Sequence, residues 1–440
     1  MNGACRVGAK RLLVLVSVLV SVLAAAALAG ERPVNTPPEG FTALFNGKDL
    51  SGWKGLVGDP KSRAAMKPEQ LAEAQKAADA DIAKHWRVEG GEILNDGQGP
   101  HLCTVKPYGD FELWVDWQIA PGGDSGIYVR GSPQVQIWDP VKGIDQAKVG
   151  SGGLYNNQKH PSKPPLVADK PAGQWNTFYI RMIGELVTVK LNDQVVVDNV
   201  VMENYWDRAR PIYPSEQIEL QTHGGLLKFR NIYLREIGPG EADRELRSRD
   251  GSGFMPLFNG KDLQGWQGSV DGYVVQDGLL VCDPAKGGTI LTKEEYGDFV
   301  LRFEFRLPPG GNNGLAIRAP ADGNPAYVGM EIQILDDTAP KHADLKPWQY
   351  HGSVYGIAAA HRGYTRPVGQ WNFEEVVAKG SQITVRVNGT TIVDADVEKV
   401  EKPADSGDHP GIHSKSGRIG FMGHGDRVEF RNIRVKPLDK

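Results

Sequence analysis

The sequence predicts an all-β protein built as two tandem domains, each a sandwich or barrel carrying little helix. Three observations lead there. First, the stretch Phe45-Asn46-Gly47-Lys48-Asp49-Leu50-Ser51-Gly52-Trp53 returns as Phe258-Asn259-Gly260-Lys261-Asp262-Leu263-Gln264-Gly265-Trp266, with Ser51 against Gln264 as the one difference. Such identity, roughly two hundred residues apart, marks an internal duplication. Second, short segments downstream of each copy alternate apolar and polar residues with period two, between Gly, Pro and Asn turn signals. Third, 440 residues exceed one ordinary core and suit two domains.

The first segment, residues 1–29, stands apart. Arg6, Lys10 and Arg11 precede an apolar run from Leu12 to Leu28, and Ala27-Leu28-Ala29 is a small-x-small cleavage site. This is the pattern of a secretory signal peptide, so the mature protein is expected to be secreted or periplasmic. An uncleaved anchor is the competing reading, because the run is near the lower length limit of a span. No second apolar run of that length follows, so no stable membrane span is expected after cleavage. With Cys5 in the leader, Cys103 and Cys282 remain at non-equivalent places, which is not a disulfide framework. A net charge of −4 without a basic patch argues against a nucleic-acid partner.

The first domain is expected over residues 30–237. Its Asn46-Gly47 is a strong turn dipeptide, and Phe45 and Trp53 flank it as core anchors. Residues 67–84 have no counterpart in the second copy. Pro68 near the start, early acids and abundant Ala predict a helix inserted on the β frame, a lid or brace. From Trp86 onward the period is two. Tyr108-Gly109-Asp110-Phe111, Ser125-Gly126-Ile127-Tyr128-Val129-Arg130, Gln134-Val135-Gln136-Ile137-Trp138-Asp139, Gly173-Gln174-Trp175-Asn176 and Phe229-Arg230-Asn231-Ile232 mark successive strands. Residues 238–253, with Pro239, Gly240 and many charges, read as a linker. The second domain, residues 254–440, repeats the series with Tyr296-Gly297-Asp298-Phe299, Asn313 to Arg318, Glu331 to Asp336, Gly369 to Asn372 and Phe430 to Ile433.

Alternation assigns faces. Glu331, Gln333 and Leu335 share one face of their strand, and Ile332 and Ile334 the other. The isoleucines belong to the core, so the polar pair faces a concave or solvent surface. The first copy places Gln134 and Gln136 there, and a carboxamide cannot transfer protons as a carboxyl group can. Asp139 and Asp336, just beyond the strand in both copies, are the available substitutes. His223 and His424 each follow an apolar strand and precede a Gly turn; an imidazole there is a natural proton-transfer group or a simple turn cap. Arg130 and Arg318 end matching strands and can fork onto a ligand or pair with a structural Asp. Tyr155 and Tyr355 recur, and an aromatic ring can stack on a sugar or pack; Asn157 occurs only in the first copy. Metal signals are weak: there is no His-Glu-x-x-His and no acidic calcium loop, and Asp408-His409 with His413 reads as a Gly-rich loop.

Taken in order, these motifs resemble the 3-keto-disaccharide hydrolase domain family, once per copy. The resemblance implies a jelly-roll sandwich similar to concanavalin A-like lectins and glucanases. It also implies exported enzymes, hydrolases or lyases, acting on glycosides oxidised at C3. Such a site needs a base near C2, an acid near the glycosidic oxygen and a group to stabilise the enolate. On that implication His424 is the base and Glu331 the acid or second base, with Arg318 or a divalent cation on the ketone side. Gln333 and Tyr355 line the substrate site. In the first copy His223 is the base with Asp139 or water as donor, beside Arg130, Gln134, Gln136, Tyr155 and Asn157. The partner is then a glycoside or oligosaccharide. Two alternatives stand beside this reading. One is a non-catalytic tandem carbohydrate-binding protein. The other is a retaining glycoside hydrolase, which needs two carboxylates about 5 Å apart and has only Glu331 and Asp336 to offer.

Overall fold

The computed structural model describes residues 33–438, so the leader expected over 1–29 lies outside the described residues. In the first half the strands are β1 (Thr42–Ala43), β2 (Trp53–Gly55), β3 (Trp86–Glu89), β4 (Glu92–Asn95), β5 (Leu102–Thr104), β6 (Phe111–Ile119), β7 (Asp124–Val129), β8 (Ser132–Trp138), β9 (Asn176–Ile183), β10 (Leu186–Leu191), β11 (Gln194–Val201), β12 (Glu219–Leu220) and β13 (Leu227–Glu236). The second half has β14 (Met255–Pro256), β15 (Trp266–Gly268), β16 (Tyr273–Gln276), β17 (Leu279–Cys282), β18 (Gly288–Thr292), β19 (Phe299–Arg306), β20 (Asn312–Ala319), β21 (Met330–Leu335), β22 (Trp371–Lys379), β23 (Gln382–Val387), β24 (Thr390–Asp396), β25 (Arg418–Gly423) and β26 (Glu429–Pro437).

Each half folds into an eight-stranded and a five-stranded sheet. The larger sheets run β11-β10-β9-β6-β13-β4-β3 and β24-β23-β22-β19-β26-β17-β16, with β1 and β14 beside β13 and β26. The smaller ones run β2-β5-β12-β7-β8 and β15-β18-β25-β20-β21. Strand for strand the two halves are the same, as a duplication requires.

Alternation builds the cores. Along β6, Phe111, Leu113, Val115, Trp117 and Ile119 point inward, and the residues between them are partly exposed. They meet Ile127, Val135 and Ile137 of the smaller sheet in one apolar cluster. The second half repeats this with Phe299, Leu301, Phe303 and Phe305 against Leu315, Ile332 and Ile334. The duplicated stretch is a turn and an anchor. Asn46 Oδ1 accepts from the amides of Lys48 and Asp49, at 2.7 and 3.0 Å, and Asn259 does the same for Lys261 and Asp262 at 2.8 and 3.0 Å. Gly47 and Gly260 sit at φ 76° and 74°, where a side chain is strained. Trp53 and Trp266 bury their rings and donate Nε1–H to the carbonyls of Leu44 and Leu257.

The insertion forms two helices, α1 (Pro60–Ala65) and α2 (Pro68–His85). The sequence predicted the second. The first is started by Asp59, whose carboxylate accepts from the amides of Lys61 and Ser62. Helix α2 lies close on β2: a Cβ at Gly55 would come within 2.6 Å of the Ala78 backbone.

The segment expected as a linker, 238–253, contains helix α3 (Pro239–Ser248). It does not hang between the halves. Ala242 and Leu246 pack with Ile183, Ile237 and Phe373. Asp243 takes both Arg366 amino groups at 2.9 and 2.7 Å, and Glu245 grips Arg181 of the first half. The charges read as linker polarity are the two arms of a clamp.

Candidate active site

In the second half β25, β20 and β21 lie side by side, and their outer face forms a groove of about 370 Å³. Glu331, Gln333 and Leu335 line it, while Ile332 and Ile334 go to the core. Glu331 is 4 % exposed, and its Oε1 has no hydrogen-bond partner among the described residues. That is costly for a carboxyl group unless a ligand or water completes it. Opposite, the turn after β25 carries His424, whose Nε2 stands 3.9 Å from Glu331 Oε1 and whose ring is 42 % exposed. Gln333 Nε2 donates to Asn312 Oδ1 at 3.0 Å. The wall is aromatic: Tyr355 meets Trp348 edge-on at 5.0 Å, and Tyr327 lies beside it, packed on the same small cluster. Gly314 is the floor beneath the carboxyl, since a Cβ there would lie 2.0 Å from Glu331 Oε1.

The first half builds the same corner from different residues. Gln134 replaces Glu331, but a carboxylate faces the histidine nonetheless. His223 Nδ1 lies 3.5 Å from Asp124 Oδ2, and Asp124 Oδ1 accepts from Gln136 Nε2 at 2.7 Å. Gln136 Oε1 in turn accepts from Gln134 Nε2 at 2.9 Å. Burial pushes the Asp124 carboxyl above its ordinary range, against the pull of His223 and the hydrogen bonds. The counterpart of Asp124 is Asn312: each opens its strand, paired with Trp138 and Leu335 at the end of the neighbour. The carboxyl group has therefore moved one strand across the sheet between copies. Sequence reasoning missed Asp124, although Gly122-Gly123-Asp124 against Gly310-Gly311-Asn312 was visible once the repeat fixed the register. A pocket of about 240 Å³ beside it is lined by Gln136, Trp138 and Tyr155.

Several expected site residues serve the scaffold instead. Arg130 and Arg318 turn away from the grooves, each at positive φ, 53° and 49°. Arg130 holds Asp110 at 2.6 Å and the carbonyls of Gly109 and Tyr213; Arg318 holds Asp298 at 2.9 Å and the carbonyls of Gly297 and Gly380. They brace the Tyr-Gly-Asp-Phe corners. Asp139 accepts from the amides of Gly122 and Val141, and Asp336 from those of Gly310 and Thr338. These bonds hold both carboxyls below their usual range, and both pin turns. Asp336 therefore does not supply the second carboxylate of a retaining hydrolase. Asn157 is spent on the carbonyls of Pro161 and Val201 and the amide of Glu203. Among the described residues no group of three or more His, Cys, Asp or Glu side chains is placed to hold a metal ion. No helix among them is long and apolar enough to cross a membrane.

Residues 40–235 and 253–436 each match the family described as 3-keto-alpha-glucoside-1,2-lyase-like domain. A 3-keto-disaccharide hydrolase of Bacteroides thetaiotaomicron is 25% identical over 251 residues, covering 47% of this chain and 86% of the relative. Crystal structures of candidate glycosyl hydrolases from Parabacteroides distasonis are also similar to this chain. One is 30% identical over 42% of this chain and 99% of its own, with a TM-score of 0.39. Another is 27% identical over 43% and 96%, with a TM-score of 0.39.

Proposed function

We propose that this chain, which belongs to the 3-keto-alpha-glucoside-1,2-lyase-like domain family through both of its halves, cleaves 3-keto-glycosides by elimination in the second-half groove. One observation carries the reading: a buried, unpartnered Glu331 oxygen stands across the groove from His424. A ketone at C3 acidifies the C2 proton. His424 takes that proton, and the C2–H electron pair becomes the C1–C2 double bond as the C1–O bond breaks. Glu331 in its acid form gives a proton to the departing oxygen. The products are an enone sugar and the free aglycone. Water adding across the enone then gives the 3-keto sugar, which makes the net reaction a hydrolysis. The gap of 3.9 Å suits return of the proton from imidazolium to carboxylate through a small rotation or one water. Gln333 and Tyr355 line the groove where sugar hydroxyls and a ring face would lie.

Export belongs to the same reading, because residues 1–29 have the pattern of a secretory leader. A second reading, binding without turnover, is favoured in the first half by Gln134 alone. The experiment is to mix the protein with an aryl 3-keto-glucoside and follow aglycone release and enone absorbance. Binding of the sugar with neither signal would turn the reading to a lectin.

A further inference from the structure

The two halves differ beside the site as well as in it. On β12, Glu219 pairs across the sheet with Cys103 of β5 and Tyr128 of β7. The same three places in the second half are Gly420, Leu291 and Ala316. There the surface is apolar, and helix α4 (Pro325–Val328) seals it, with Ala326 packed on Leu291, Ala316 and Met422. A Cβ on Gly420 would lie 2.0 Å from the Ile290 carbonyl oxygen, so that half has no room for a side chain. In the first half the described residues carry no helix between β7 and β8, which are joined by Arg130 and Gly131 alone. Instead that half carries a full glutamate and a cavity of about 360 Å³, walled by Leu56, Asp59 and Pro60 from the insertion and by His101, Tyr128 and Trp206.

Glu219 is 3 % exposed, lines that cavity, and has no hydrogen-bond partner among the described residues. A carboxyl at that depth is costly to leave bare, and its face toward the cavity is where a ligand or water would complete it. The charged groups around it are committed elsewhere. Asp59 caps α1, and Arg63 is bound to Glu216 at 2.9 Å and to the carbonyls of Val57 and Gly58. Cys103 lies beneath as a buried thiol, its pKa pushed up to about 12 by burial and then by Glu219. Burial pushes Glu219 up to about 8, with Arg63 opposing and Glu216 and Asp59 adding to the rise. Burial likewise lowers His101 to about 4, and its Nδ1 accepts from the Thr222 amide, which leaves the proton on Nε2. Near neutral pH the cavity therefore offers uncharged donors, Glu219 as an acid, the His101 N–H and the Tyr128 phenol, beside the indole of Trp206. That set suits neither an anion nor an ammonium group. It suits a hydroxyl-bearing ring with an aromatic face to lie on.

We propose that this cavity is a second carbohydrate site peculiar to the first half, where Glu219 donates a hydrogen bond to an uncharged sugar unit seated against Trp206. The inference rests on the carbohydrate-active reading but concerns a place that the reaction does not use.

Calorimetry of the whole protein with methyl α-glucoside tests it. One site fewer is expected in Glu219→Ala than in the wild type. The Glu219-dependent site weakens by roughly tenfold or more between about pH 6.5 and pH 9.5, as the acid proton is lost. Glu219→Gln, whose carboxamide still donates, keeps the wild-type number of sites at both pH values; far-UV circular dichroism confirms that both variants are folded. Equal site number and affinity in wild type and Glu219→Ala would overturn the proposal. So would Glu219-dependent binding of methyl α-glucoside that tightens with rising pH, because Glu219 would then act as an anion that accepts from the sugar hydroxyls. Turnover of the keto-glucoside is read in parallel. Normal turnover without a Glu219-dependent site sinks this proposal alone, and a Glu219-dependent site without turnover sinks the elimination reading alone.

Discussion

His424 Nε2 and Glu331 Oε1 face each other at 3.9 Å across the second-half groove, too far for a direct hydrogen bond and near enough for one water or a small rotation to join them. If the two share one proton inventory, removing either disables the same step. Glu331→Gln and His424→Asn should each lower kcat by about 10²–10⁴ with little change in KM. The double variant should be hardly worse than either single one, because residues that act as a unit are not additive. Additive losses in steady-state kinetics would show that they serve separate steps.

Gly314 gives a sharper test of position. Its absent Cβ leaves the space that the Glu331 carboxyl occupies. Gly314→Ala should push that carboxyl aside and cost at least tenfold in kcat. The melting temperature should fall only modestly, since Gly314 has no positive φ to protect. A melting temperature that collapses along with activity would make Gly314 a folding residue instead.

How far this site could be read from sequence depended on whether alternation held. It held on β21, so Glu331 and Gln333 could be placed opposite Ile332 and Ile334. It failed at Arg130 and Arg318. By period two Arg130 shares a face with Tyr128, but a register shift on each strand and a left-handed backbone at the arginine swing both guanidiniums to the corner. Asp139 and Asp336 lay near enough in sequence to stand in for a missing acid. Their oxygens are taken by amides of neighbouring turns, which only the folded chain brings to them. Asp124 and Glu219 escaped notice for one shared reason. Neither has an acidic partner in the other copy, and a duplication read for what it retains passes over what one half has added.

Asp124 makes its own prediction. If the first half also turns over substrate, its acid is Asp124 beside His223, not Asp139. In a Glu331→Gln background Asp124→Asn should remove the residual aglycone release, while Asp139→Asn, which loosens a turn, should shift the melting temperature more than the rate. A residual rate indifferent to Asp124→Asn would assign the first half to binding.

The clamp between the halves should show in unfolding. Asp243 is 3 % exposed and takes two charge-assisted bonds from Arg366. Breaking a buried pair by removing one partner leaves an uncompensated charge, at a cost of about 3–5 kcal/mol. Arg366→Ala should therefore lower stability by that order and split one calorimetric transition into two, as the halves lose their common seam. An unsplit transition with an unchanged midpoint would mean that α3 contributes little to their coupling.

Glu219 also ties stability to pH, with a sign opposite to that of most carboxylates. Its folded pKa is raised from 4.5 to about 8, so the folded state holds a proton that the unfolded chain releases. Between those values the folded state binds more protons, and stability falls as pH rises. Below about pH 4.5 both states are protonated and Glu219 costs nothing by this route; above pH 8 the full penalty of a buried charge is present. Glu219→Gln removes the titrating proton and keeps the shape. Its melting temperature should match the wild type near pH 4.5 and exceed it progressively toward pH 9, by an amount on the order of a few kcal/mol when expressed as stability. A difference between the two proteins that does not change with pH would mean that Glu219 is already ionised in the folded state at neutral pH, and the uncharged character assigned to its cavity would fall with it.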